Sequence, residues 1–207
     1  MGEVKYLITQ SLLSAWGYLF SCHEGCEEDA MADFLAALDR QKREPTQAML
    51  NGIEFEDAVY AQAHGIPRAP HPKWEPGIRK VASIIGSAPV QVKAQREIQV
   101  GDMTFLVYGI LDALKAGVIY DVKFRNKSLG SEDIYGKYLD SPQHPAYFYI
   151  VPEAGEFRYI VSDGEDVYQE CYRRESTPHI RDIIALFVAW LESMGLMERY
   201  KEHWVAL

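Results

Sequence analysis

Gly109-Ile110-Leu111-Asp112, followed after a short break by Tyr120-Asp121-Val122-Lys123-Phe124, is the stretch on which the reading of this chain turns. Residues 103–114 are rich in β-branched, aromatic and aliphatic side chains, Ala116-Gly117 is a turn signal, and 118–124 is a second strand-like run. Side chains alternate faces along a strand, so Asp121 and Lys123 point the same way and Val122 points into the core behind them. Asp112, late in the preceding strand, reaches the same side across the ladder if the register allows. Two acids and a lysine inside an apolar hairpin are costly to keep there. A site able to hold a divalent metal explains them better than stability does.

Working outward, Val92, Ala94, Arg96, Ile98 and Val100 alternate within 91–100, and Gly101-Asp102 turns that strand into the next. Strands 91–100, 103–114 and 118–125 are therefore expected to form an antiparallel meander. Beyond it, 131–139 reads as a helix capped by Ser131, with Glu132 and Asp133 in its first turn. Ser141 caps the next helix and Pro142 takes its first position, which sets Gln143 and Tyr147 one turn apart on one face. Strands over 156–162 and 166–173 follow, then a long helix from Pro178, capped by Thr177 and centred on Trp190. Upstream, 4–20 carries apolar residues at helical spacings, with Thr9 or Ser11 as cap, and 29–42 reads as a second helix. A third runs from Pro45 to Ala63, with Ile53, Phe55 and Val59 as its inward stripe and Glu56 one position round from it. The proline-rich connection 67–76 lies over the surface, pinned by Trp74, and leads into a short helix over 77–85.

These elements give an α/β (α+β) fold: a central mixed sheet containing a three-stranded antiparallel meander, flanked by helices. The expected layout is one domain over 1–207, mainly helical over 1–85, with the sheet core and site over 86–175 and a C-terminal helix over 176–207. Apolar residues at 48% and charged residues at 25% are ordinary for a globular protein, and the absence of a long uncharged apolar run argues against a membrane span. Three cysteines (Cys22, Cys26, Cys171) have no framework spacing, and the N-terminus lacks a signal layout, so a cytoplasmic location is expected. Net charge is −9, which disfavours nucleic-acid binding over the whole surface but not along a local channel. Residues 113–137 carry five bases (Lys115, Lys123, Arg125, Lys127, Lys137) against three acids, whereas 24–33 carries five acids and no base.

The order of these pieces resembles the PD-(D/E)XK nuclease superfamily, and within it the RecB-like and phage-type exonuclease branch. Gly109 to Asp112 matches the G-x-x-D form of one motif, and Asp121-Val122-Lys123 matches D-x-K. Gln143-His144-Pro145-Ala146-Tyr147 matches Q-x-x-x-Y, and Gly52-x-x-Phe55-Glu56 resembles the upstream helical motif that supplies another acid. The likeness covers roughly residues 46–172. It departs from the superfamily's name in having no proline before Asp112, where Gly109 stands in, and Phe124 follows Lys123 where a small hydroxyl residue is common.

The resemblance implies hydrolysis of DNA phosphodiesters with magnesium (Mg2+) or manganese (Mn2+), exonucleolytic rather than endonucleolytic. DNA is the implied partner, with a homo-oligomer or a partner recombination protein as further assemblies. Asp112, Asp121, the Val122 backbone carbonyl and Glu56 would be the metal's oxygen ligands, suited to a hard cation. Lys123 would orient the attacking water and neutralise the phosphate, with Gln143 and Tyr147 positioning it. Arg125, Lys127 and Lys137 would track the DNA backbone. Some relatives hold an iron–sulfur cluster through four cysteines, and three cysteines do not supply that count, so no cluster is expected.

Three other readings compete: a nucleic-acid-binding module without cutting, a plain structural α/β domain, and a metalloprotein using His23, His71 and His144. Cys22-His23 with Cys26 is weak for zinc without a fourth partner.

Overall fold

The computed structural model describes residues 4–130 and 134–206. The chain runs β1 (Lys5–Thr9), α1 (Gln10–Tyr18), α2 (Glu27–Leu38), α3 (Gln47–Ala63), α4 (Glu75–Ile85), β2 (Val90–Val100), β3 (Met103–Lys115) and β4 (Val118–Phe124). It continues with α5 (Gln143–Ile150), β5 (Glu156–Ser162), β6 (Val167–Arg173), α6 (Ile180–Ser193) and α7 (Met197–His203). The six strands make one mixed sheet in the order β1-β3-β4-β5-β6, with β2 on the remaining edge of β3. β1 runs parallel to β3 and β4 parallel to β5, while β2–β3, β3–β4 and β5–β6 are antiparallel. The expected α/β class and the β2-β3-β4 meander are both present.

Each sheet face buries its own core. One is filled by Ile8, Leu12, Phe34, Phe105, Leu111, Phe157 and Phe187, under α1, α2, α5, α6 and α7. The other is filled by Phe55, Val59, Ile78, Val81, Val122 and Ile160, under α3 and α4. Val122 thus points into a core, as its place between Asp121 and Lys123 requires.

β3 does not keep one face throughout. Phe105, Val107 and Leu111 enter the first core, but Ala113 enters the second. Its partner β2 makes the same change between Val92, packed on the first core, and Val90, packed on the second. Between those two residues Gln91 has φ +53°, a left-handed conformation that costs a non-glycine residue about 1–2 kcal/mol. The paired strands twist sharply where Asp112 sits.

Several element boundaries differ from the sequence reading. Residues 4–20 are not one helix: Lys5–Thr9 is a strand paired in register with Thr104–Tyr108, and only 10–18 is helical. The cause is burial. Tyr6, Leu7 and Ile8 all pack on the first core, an apolar run without the alternation that marks a strand. Thr9 is the cap, accepting from Leu12 N at 3.3 Å. The second helix spans 27–38 rather than 29–42, with Glu27, Glu28 and Asp29 in its first turn. α3 is capped by Thr46, which accepts from Met49 N at 3.3 Å, so Pro45 stands outside it. Within α3, Phe55 and Val59 are fully buried but Ile53 is 53% exposed and leaves the expected inward stripe. Of the helix expected over 131–139, residues 131–133 lie outside the described residues, and 134–140 is a run of turns. α6 begins at Ile180, capped by His179 rather than Thr177, whose hydroxyl donates to Arg173 O.

Among the described residues no helix is long and apolar enough to cross a membrane. Trp74 pins the proline-rich connection as expected, packing against Phe55, Phe124 and His71.

Candidate active site

The site lies at a fork in the sheet. β2 covers one edge of β3 from Met103 to Ala113. On the other edge β1 pairs only with Thr104–Tyr108, and β4 only with Ala113–Lys115. Gly109 to Asp112 therefore lacks a strand partner on that edge, and its polar groups are met by side chains instead. Tyr147 Oη, from α5, donates to Ile110 O at 2.8 Å. Asp112 Oδ2 accepts from Val122 N at 2.8 Å, as β4 peels away from β3.

Gly109 is explained by Tyr147. A Cβ on Gly109 would stand 2.4 Å from Tyr147 Cε1 and 3.1 Å from Ile150 Cδ1. The G-x-x-D and Q-x-x-x-Y segments are thus two halves of one contact: the glycine leaves room for the ring whose hydroxyl closes the fork.

Asp121 is 2% exposed and held on both oxygens. Gln143, in the first turn of α5, donates to Oδ1, and Lys123 Nζ lies 2.5 Å from Oδ2. Burial, then the neighbouring Asp121, raise the Asp112 pKa well above the carboxylate range. Glu56, on α3, is pushed up to about 7, chiefly by burial, with Lys123 opposing and Asp121 adding to the shift. Burial pulls the Lys123 ammonium down, but Asp121 and Asp112 outweigh it and hold the lysine charged. The Tyr147 phenol is pushed up to about 12 by burial and by Asp121.

Six residues singled out in the sequence thus share one electrostatic environment: Glu56, Asp112, Asp121, Lys123, Gln143 and Tyr147. Three acids face one lysine there, an excess of negative charge that a divalent cation would offset. Every candidate ligand is an oxygen, and Asp121 Oδ2 is buried with no hydrogen-bond donor apart from the lysine ion pair. The donor set therefore fits magnesium or manganese. Among the described residues, however, no three His, Cys, Asp or Glu side chains converge as a closed metal cluster. Asp121 acts on Asp112 more strongly than Glu56 does.

The basic residues are more dispersed. Arg125 directly follows β4, its backbone amide bonded to Ser162 O at 2.9 Å, and its side chain is half-buried. Lys127 is exposed on the following loop. Lys137 lines an open cavity of about 520 Å3 with Tyr18, Phe20, Ser141 and Pro142, just before Gln143. His71 and His144 lie apart in separate packing: His71 stacks on Trp74, and His144 is in the first core. His23 is exposed on a loop.

Two residues of the same environment escaped the sequence reading. Tyr60, on α3, has its phenol pKa raised by burial and then by Asp112 and Glu56. It stands four residues after Glu56, and that helical spacing was the available signal. Tyr138 is pushed up to about 12 by burial, with Lys123 and Asp121 acting on it, and its ring stacks on Tyr159 at 4.1 Å. It lies in the turns of 134–140, where no periodicity points to it.

No family model and no curated protein sequence matches the chain. Solved structures do. SSO0001 superimposes with a TM-score of 0.53 at 14% identity, over 94% of this chain and 78% of that one. LHK-Exo in complex with dAMP superimposes with a TM-score of 0.52 at 14% identity, over 94% of this chain and 92% of that one. The chain shares the fold of these two structures. At this identity the likeness extends to the fold alone.

His144, which adjoins Gln143 on α5, gives this fold an acid sensitivity. It is 1% exposed, stacked on Tyr172 at 4.1 Å, with Nδ1 3.3 Å from Tyr159 Oη. Burial pulls its pKa down to about 4 from an ordinary 6.5. The unfolded chain takes up a proton below about 6.5 that the folded chain refuses until about 4. This residue's effect is thus absent above that window and destabilising as pH falls through it, by up to roughly 3 kcal/mol. Urea unfolding at pH 7 and pH 4.5 should show wild type losing more stability than His144→Phe. Equal losses would remove His144 as the cause.

Proposed function

We propose that this protein is a metal-dependent nuclease that hydrolyses DNA phosphodiesters, of the RecB-like, phage-type exonuclease branch of the PD-(D/E)XK superfamily. The observation that carries this is the assembly of Asp112, Asp121, Lys123 and Glu56 at the sheet fork, with Gln143 bonded to Asp121. The fold it shares with LHK-Exo, solved with dAMP, supports the same reading.

Asp112 and Asp121 would hold the magnesium or manganese ion, with the Val122 carbonyl between them and Glu56 directly or through water. Such a cation, when bound, acidifies water and stabilises charge on the phosphate. The chain's own residues do the rest. Lys123 is kept protonated by its two aspartates, so it donates hydrogen bonds to the attacking water and the phosphate rather than abstracting a proton. Gln143 fixes the rotamer of Asp121 through its amide. Tyr147 caps the unpaired edge of the fork at Ile110 O. Glu56, near 7, can carry or release a proton near neutral pH.

The test is degradation of end-labelled linear DNA against covalently closed circles, with magnesium, manganese or chelator. Loss of the linear substrate alone, abolished by chelator, is the expected result. A binding module without cutting is the competing reading, and the absence of a closed three-ligand cluster among the described residues favours it. It expects no chelator-sensitive degradation of either DNA.

Charge segregation makes a second expectation. The exposed Glu27 and Glu28 open α2, on the opposite end of the charge distribution from Lys127. Reversing both glutamates to lysine should change cleavage less than about twofold, surface charges there being screened within a Debye length. Lys127→Glu should weaken DNA binding several-fold and lower the slope of log affinity against log salt by about one. Matching behaviour of the two variants would sink the idea of a local basic channel.

A further inference from the structure

Across α5 from the fork lies a second cavity, of about 250 Å3, whose lining includes Arg96, Phe148, Tyr149, Arg174, Thr177 and His179. It contains two guanidinium groups and no carboxylate. Neither arginine has an ion-pair partner within 4.0 Å among the described residues. Burial lowers the Arg174 pKa, with Glu153 opposing the shift and Arg96 adding to it.

Part of this arrangement is structural. Arg174 donates from Nε to Ala154 O and from Nη2 to Val151 O and Ala154 O, and Arg96 Nη1 donates to Tyr149 O. Tyr149 lies in the last turn of α5, and Val151 and Ala154 follow its end, where cations are favoured. A guanidinium has five N–H donors, however, and these contacts leave Arg174 Nη1 and Arg96 Nε and Nη2 for other partners. His179 adds another. Its Nδ1 accepts from Arg181 N at 3.1 Å, which places the proton of a neutral ring on Nε2. The rings of Tyr149 and Phe148 carry the two guanidinium groups at 5.0 Å and 5.1 Å, fixing their planes.

We propose that this cavity binds a phosphate group, through Arg96, Arg174 and His179, separately from the fork. Planar, stacked arginines recognise phosphate oxygens in pairs, and the cavity has room for one phosphate with part of its ester. The phosphate comes from a free mononucleotide or from a DNA strand. The proposal does not rest on the nuclease reading.

The test is calorimetric titration of the full chain with inorganic phosphate, dAMP and a short single-stranded oligonucleotide, in chelator and at constant ionic strength. Chelator removes any metal that could hold phosphate at the fork. Wild type should bind phosphate and Arg96→Gln at least tenfold more weakly. Arg96 is exposed, so this variant should fold. Arg174→Lys, which keeps the charge but not the fork of donors, should also lose at least tenfold. Tighter binding of dAMP than phosphate supports the site and selects the mononucleotide; tighter binding of the oligonucleotide alone supports it and selects the strand. Undiminished binding in Arg96→Gln, or no binding of any of the three, overturns it.

Discussion

Gly109→Ala should destabilise the protein by about 3 kcal/mol, through a contact 38 residues further along the chain. The new methyl would stand 2.4 Å from Cε1 of Tyr147, a separation no carbon pair tolerates. The ring cannot simply swing aside. It is 3% exposed, packed on Phe157, and its hydroxyl is committed to Ile110 O. Overpacking a core by one methyl costs about 1–3 kcal/mol, and losing the partner of a buried polar group costs about 1–3 more. In a domain of this size such a loss lowers Tm by about 6–12 °C. A double-mutant cycle isolates the cause. In a Tyr147→Ala background only Ile150 Cδ1, the far end of a flexible side chain at 3.1 Å, still crowds the methyl, so Gly109→Ala should then cost less than about 1 kcal/mol. If the glycine substitution costs the same in both backgrounds, the two segments are not one contact.

That pairing shows what the sequence could and could not convey. Asp121, Val122 and Lys123 were legible because a strand alternates faces whatever lies around it, and the β4 register with β5 preserves that alternation. Asp112 was harder. Strict alternation from Leu111 would have put Ala113 in the same core, but the twist at Gln91 carries it to the other. Nothing in the residue types announces a non-glycine at φ +53°. β1 was lost for the opposite reason: its Tyr6-Leu7-Ile8 is an apolar run without alternation, and the helix behind it supplied the period. Tyr60 and Tyr138 were missed because their relation to the acids is made by packing between elements, not by spacing within one. Glu56 could be suspected from its helix, but its rise to about 7 depends on burial against β4, which only the assembled sheet provides.

Lys123→Ala should reduce DNA cleavage by about 10²-fold or more, the scale on which a positioned transition-state group acts, while leaving divalent-metal binding intact. The reasoning follows from charge. Lys123 Nζ lies 2.5 Å from Asp121 Oδ2, in competition with any cation for that oxygen. Removing it leaves the carboxylates in place and takes away a neighbouring positive charge, so magnesium should bind as well as before or more tightly. Asp112→Asn has the opposite signature, since it removes a ligand oxygen's charge: metal affinity and turnover should fall together. It also changes the acceptor for Val122 N, but an asparagine carbonyl can accept the same bond, so the fork should persist. Calorimetry with magnesium, thermal unfolding and single-turnover cleavage on the two variants separate these effects. Asp121→Asn is the control for the site as a whole, and unchanged metal affinity there would remove Asp121 from it. A purely structural hairpin predicts a different pattern: Lys123→Ala would leave Asp121 buried without its cation, lower the melting temperature, and show no metal dependence. If Lys123→Ala melts like wild type, binds magnesium and cuts at the wild-type rate, the lysine takes no part in the chemistry and the D-x-K assignment at this fork fails.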